Sequence, residues 1–437
     1  MDIKVKEREA IIQSLRAGVV PRIGQQYIQV GRLREVESLV KDLERICDCG
    51  SAFRFIIGEY GAGKTFFLFL IRSIALQKKL VTVHADLTPD RRLQSSGGQA
   101  RNLYSELMKN IATRSKPDGN ALSSIVERFI TSAISEAKLN GNAVESTILE
   151  KLKSLNEMVG GFDFSEVINN YWKGYDTGND KLMSDAIRWL RGEFSTRTDA
   201  RAALGVRSII DDSSFYDQLK LLSKFVRLAG YSGLLVNLDE MVNLYKIANA
   251  KSRDANYEQI LRILNDCMQG TVEGLGFLLG GTPEFVTDTR RGLYSYQALQ
   301  SRLAENTFAV KGFTDMTSPV LRLSNLTQED IYVLLDKLRD VYVSNNQCNF
   351  VFPDEGINAF MKHCSSFIGD AYFRTPRNTI RSFLDLLAIL DQHPECDWQS
   401  QLGACTIEQE DMPDYSEDII DTANEKQEPD ELASFKL

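Results

Sequence analysis

Residues 58–65, GEYGAGKT, constrain this chain more than any other stretch. An apolar run, FRFII (53–57), leads into them, and TFFLFLIRSIALQKK (65–79) leads away. A short buried strand that feeds a glycine turn, followed by an apolar helix, gives the turn its use. Glycines let the backbone wrap closely around a polyphosphate, and the N–H groups that open the helix point at the anion. The pattern G-x-x-x-x-G-K-[ST] therefore predicts a cradle for a nucleotide's phosphates built from Gly58, Gly61, Ala62, Gly63, Lys64, Thr65 and Phe66. Lys64 would reach the β and γ phosphates, and the Thr65 hydroxyl would ligate Mg²⁺.

Such a cradle needs a carboxylate at the end of a neighbouring strand. GLLVNLDE (233–240) offers Asp239 to support Mg²⁺ and Glu240 to polarise the attacking water. The second acid points to an ATPase rather than a GTPase, and the chain has no N-K-x-D guanine signature. Thr282, closing the apolar run LGFLLGG, stands where a polar side chain orients the lytic water. Arg302 in LQSRL follows, placed to project into a neighbouring subunit's site, with Arg290 and Arg291 as rivals for that role. Arg377, opening the helical stretch RNTIRSFLDLL, is placed to close over the γ-phosphate, with Arg374 as its local rival.

The rest of the chain supplies the frame. VKEREAIIQSLRAG reads as a helix stopping at Gly18, VVPRIGQQYIQVG as extended, and RLREVESLVKDLERI as a helix with apolar residues at helical spacing. LVTVHADL is the next strand, and about 140 mostly helical residues follow it, from near Arg91 to Gly230. The strands GLLVNL and LGFLLGG come next. PVLRL is the last, before a helix that Asn325 or Thr327 would cap with Asp330 in its first turn. Strands that alternate with helices predict a parallel α/β sheet with helices on both faces. The expected division is N-terminal helices at 1–50, an α/β core at 51–112 and 226–323, and a helical insertion at 113–225. A helical lid domain at 324–395 and an acidic, mostly disordered tail at 406–437 complete it.

That tail explains the charge. Eleven acids against Lys426 and Lys436 account for the whole formal charge of −9, leaving residues 1–405 neutral. A neutral sum excludes no partner, because a local basic face disappears in it. The tail's charge is wrong for a duplex, although its end, ELASFKL, suits docking on a protein groove. The seven scattered cysteines show no metal-ligand spacing and read as reduced thiols. The start MDIKVKEREA has no apolar signal core, and no run reaches the roughly 18 apolar residues of a membrane span. The expectation is a cytoplasmic protein without membrane contact.

Taken in order, the glycine turn, Asp-Glu, strand-end Thr, SRL and PRN resemble an AAA+ ATPase of the origin-recognition/Cdc6-like branch. The longer phrases SLRAGVVPRIG, IQVGRLREVE, HADLTPDRRL, IRWLRGE and RRGLYSYQALQSRL are similar to the BrxD-like ATP-binding proteins of bacterial BREX phage-defence systems. The likeness runs from about residue 8 to about 390. It implies an AAA+ domain with a five-stranded parallel sheet and a lid, and it makes Val30, Gly31 and Arg32 base-side contacts. It also implies ATP and Mg²⁺ as cofactors, a homo-oligomer, and defence partners such as a helicase or DNA modification enzyme. The Cdc6-like branch ends in a winged-helix DNA-binding domain, whereas the acidic tail follows the lid in this sequence, and the expectation is DNA contact that is not sequence-specific. The implied activity is ATP-driven assembly and lid movement that remodels or loads such a partner. The alternative is a nucleotide-gated scaffold that recruits partners and hydrolyses little.

Overall fold

A computed structural model describes residues 3–309, 315–344, 352–370 and 376–404. The acidic tail and Arg374 lie outside them. Each of the five apolar runs forms a strand: β1 (Ser51–Ile57), β2 (Val81–Asp86), β3 (Leu234–Asp239), β4 (Leu275–Gly281) and β5 (Val320–Arg322). They pair in parallel as one sheet in the order β2-β3-β4-β1-β5. Parallel strands need crossover connections, and these leave helices on both faces.

Alternation along β1 shows how the faces divide. Phe53, Phe55 and Ile57 join the larger apolar core, while Ala52 and Ile56 join a second core on the opposite face. The second face is covered by the helices Leu33–Cys47 and Lys64–Gln77. Arg54, on that face, donates to Asp42 of the first of these helices at 2.6 Å, and both side chains are buried.

The long helical stretch covers the other face. Leu122, Phe129, Phe164, Trp189 and Phe225 share one continuous core with Phe53, Val81 and Phe277 of the sheet. Residues 113–225 therefore pack onto the sheet rather than around a core of their own.

A third core belongs to the helices between residues 328 and 392, the expected lid. Ile331, Leu335, Leu338, Phe360, Phe383 and Leu387 form it, and Ile3, Ile11 and Ile28 from the beginning of the chain are part of it. The helix Val5–Arg16 lies against the lid helix Arg377–Gln392. The following segment departs from its expected extended form, because Gln25–Ile28 makes one helical turn. Gly24 precedes it at φ 83°, where a Cβ would come within 2.7 Å of Ile11, so the chain reverses there against the first helix.

Of the two proposed caps, Thr327 holds the first lid helix, Gln328–Val343. Its hydroxyl accepts from the Asp330 N–H at 3.1 Å, and Asp330 accepts from the Thr327 N–H at 3.0 Å. Thr327→Ala is expected to lower stability by about 1 kcal/mol. Urea unfolding followed by circular dichroism checks it, and an unmoved midpoint refutes it.

Candidate nucleotide-binding site

The site lies at the C-terminal edge of the sheet, where β1, β3 and β4 end beside one another. After β1 the chain turns through residues 58–63, with Gly61 at φ 79° and Gly63 at φ 75°, and the helix Lys64–Gln77 begins at once. A Cβ on Gly58 would crowd Ala62 Cβ and the Leu323 carbonyl, both at 3.1 Å, so a larger residue there would push on the turn. The Lys64 ammonium donates to the carbonyls of Gly58 and Glu59, each at 2.9 Å. Burial lowers its pKa, against the opposing pull of Asp239, Glu240, Glu59 and Glu284.

Thr65 and Asp239, 174 residues apart, meet across the β1–helix and β3 ends, with Thr65 Oγ1 donating to Asp239 Oδ2 at 2.6 Å. Two hard oxygen donors so placed suit Mg²⁺, which prefers such ligands and retains water. Gly280 on β4 makes room for this carboxylate, since a Cβ there would lie 2.3 Å from Asp239 Oδ1. Asn237, the polar exception within β3, donates to the Leu68 carbonyl at 3.4 Å and so bonds the strand to the cradle's helix.

Glu240 follows with φ 57°, a left-handed conformation that non-glycine residues adopt only when their surroundings hold them there. Its N–H donates to Asp239 Oδ1 at 2.9 Å, and its carbonyl accepts from Asn243 at 3.3 Å. Burial raises the Glu240 pKa, and Asp239 adds to the shift. Asp86, in register with Asp239 at the end of β2, contributes a further carboxylate, with its own pKa raised by burial and by Asp239. Nothing in the pattern HADL singled out Asp86; only the strand order places it here.

Thr282 is 5% exposed, and its Oγ1 is buried without a partner. A buried hydroxyl left unsatisfied costs about 1–3 kcal/mol, and Thr282 is not among the residues that line the cleft described below. Arg377 reaches the same cleft from the lid, its guanidinium 3.4 Å from Tyr60 Oη in the glycine turn. Arg302 does not reach the cleft. It is exposed on the short helix Gln297–Leu303 and donates to Asn265 Oδ1 and the Ala298 carbonyl, both at 2.8 Å. Of its rivals, Arg291 is engaged with the carbonyls of Tyr245 and Ile247, while Arg290 is exposed.

One cleft joins Lys64, Thr65, Glu240 and Arg377 to an apolar chamber. The glycine turn, Lys64, Thr65 and Glu240 form its polar end. Val19, Pro21, Ile28, Phe66, Leu326 and Ile380 line the other end, a surface suited to the face of a purine. Val30 and Arg32 also line it, and Gly31 (φ 59°) sits where a Cβ would come 3.1 Å from Asp330. The Arg32 guanidinium turns to the phosphate end, donating to the Ala62 carbonyl and, at 3.0 Å, to the Ser324 carbonyl. The wall at 19–21 was missed because its only signal, the phrase AGVVPRIG, has no period that marks a ligand surface.

A phosphate cradle and an apolar chamber between a parallel sheet and a helical lid define an α/β nucleotide-binding protein. The family model described as BREX system ATP-binding protein BrxC/D matches residues 3–405. The chain belongs to that family, and so is an ATP-binding protein of a BREX defence system. No curated protein matches it. Among the described residues, no helix is long and apolar enough to cross a membrane.

Proposed function

We propose that the chain is an Mg²⁺-dependent ATPase that uses self-assembly and lid movement to remodel or load a defence partner acting on DNA. The convergence of Lys64, Thr65 and Glu240 at the polar end of one cleft, with Asp239 bonded to Thr65 and to the Glu240 N–H behind them, supports this reading. Bound Mg²⁺ would neutralise charge on the β and γ phosphates, and Thr65 and Asp239 are the residues to hold it. Lys64 exchanges its two backbone carbonyls for phosphate oxygens. Glu240 accepts a proton from the attacking water, which the free Thr282 hydroxyl orients. Arg377 closes over the γ-phosphate from the lid. Arg302, exposed and outside its own cleft, supplies its charge to the site of a neighbouring copy. A helicase or DNA modification enzyme of the same defence system is the class of partner, and reading of DNA sequence by this chain is not required.

ATP turnover measured against protein concentration tests the reading, and turnover per chain should rise as copies assemble. Intact binding with negligible turnover at every concentration would favour the nucleotide-gated scaffold. The shared site has its own test. Arg302→Ala should bind ATP and hydrolyse it at least about tenfold more slowly. Mixed with Glu240→Gln chains it should regain activity, because some sites then combine one intact Glu240 with one intact Arg302. No recovery despite demonstrated co-assembly would remove Arg302 from the mechanism.

A further inference from the structure

The chain passes between sheet and lid at two crossings, and one side chain touches both. On the C-terminal side, Leu323 belongs to the sheet, its N–H donating to the Ile57 carbonyl at 2.7 Å, while Leu326 already packs with the lid core. Ser324 and Asn325 span the gap. On the N-terminal side, Val30 packs with the lid core and Val36 with the sheet. Gly31 and Arg32 span that gap, with φ 59° at both residues. The Arg32 guanidinium bonds the Ser324 carbonyl of the other crossing and the Ala62 carbonyl of the phosphate cradle.

The described residues before the first crossing are bonded to the lid at several points, while Gln25–Ile28 also touches the helix Lys64–Gln77. Arg8 donates to the Tyr342 carbonyl at 2.6 and 3.1 Å, Arg16 pairs with Asp385 at 2.8 Å, and Lys337 donates to the Gln29 carbonyl at 2.5 Å. Ile3, Ile11 and Ile28 complete the lid's apolar core.

We propose that the N-terminal segment, residues 3–30, and the described lid residues move as one body. Arg32 is the positioning residue that ties both of its crossings to the phosphate cradle. The inference rests on the nucleotide-binding reading. An arginine suits the task because its planar fork carries five donors, enough to bridge carbonyls that belong to different bodies. Phosphates that draw the Lys64 ammonium off the Gly58 and Glu59 carbonyls change the hydrogen bonding of the cradle's backbone, of which the Ala62 carbonyl is part. Arg32 then transmits the change to Ser324 and to its own crossing, so nucleotide occupancy sets the position of the lid and the first helix together.

Hydrogen exchange on the full chain tests this, with and without a non-hydrolysable ATP analogue at a concentration that saturates each variant by calorimetry. In the wild type, the analogue should slow exchange in 64–77, in 4–12 and in 377–392, by about tenfold in the last two. Arg32→Ala should keep the slowing in 64–77 and at the start of 377–392, where Arg377 itself meets the nucleotide, and lose it in 4–12 and along the rest of 377–392, and Arg32→Lys should restore part of it. Slowing of all three segments in Arg32→Ala would overturn the role of Arg32. A wild-type lid that responds while 4–12 does not would overturn the single moving body. No slowing at 64–77 in the wild type would overturn the nucleotide site itself, and the proposal with it.

Discussion

Lys64→Ala is expected to weaken ATP binding by about a hundredfold or more. In the structure the ammonium donates to the neutral backbone carbonyls of Gly58 and Glu59. Phosphate oxygens carrying full charge are better acceptors than these neutral groups, and charge-assisted hydrogen bonds are roughly twice as strong as neutral ones. Removing one partner of such a buried pair leaves the other charge uncompensated, a loss of about 2–5 kcal/mol. The fold itself should survive, because no strand or apolar core depends on the lysine. Isothermal calorimetry with ATP, beside a thermal melt of the same sample, makes the comparison. A variant that melts like the wild type and binds ATP equally well would refute the cradle.

The cradle was legible because its chemistry is local: eight consecutive residues specify turn, helix start and cation together. The strands were legible for a related reason. A parallel sheet buried on both faces demands short continuous apolar runs, and FRFII, LGFLLGG and GLLVNL have that form. Asp239 could be paired with Thr65 because a strand-end acid is the expected complement of a phosphate turn. What escaped is set by packing between distant segments. Periodicity in VKEREAIIQSLR marks Ile11 as inward-facing, but it does not say that the lid, more than 300 residues later, supplies the core it enters. The helical stretch after β2 likewise shows its apolar faces without showing that the sheet covers them. Gly280 reads as an ordinary strand glycine until Asp239 is placed against it. Arg32 drew attention through its neighbours in VGRLRE, yet its reach to Ala62 and Ser324 depends on two left-handed residues that no pattern reveals.

Glu240→Gln should separate binding from chemistry. The substitution keeps the side chain's length and changes its charge and basicity, and the backbone contacts that hold residue 240, to Asp239 and Asn243, do not involve the altered atoms. Lys64, Thr65 and the apolar wall remain, so ATP affinity should stay within a few-fold of the wild type. Turnover should fall by about a hundredfold or more, because an amide cannot accept the proton that a positioned carboxylate takes from water. The altered residue also no longer competes for Lys64, whose environment holds four carboxylates, so any change in affinity should be toward tighter binding. Equilibrium binding and single-turnover hydrolysis on one preparation distinguish the outcomes. Equal turnover in the variant and the wild type would show that the acid at the end of β3 is not the base. If both chains bind ATP and neither turns it over, the cleft is a nucleotide-gated switch, and Glu240 owes its strained backbone to some other demand of the β3 end.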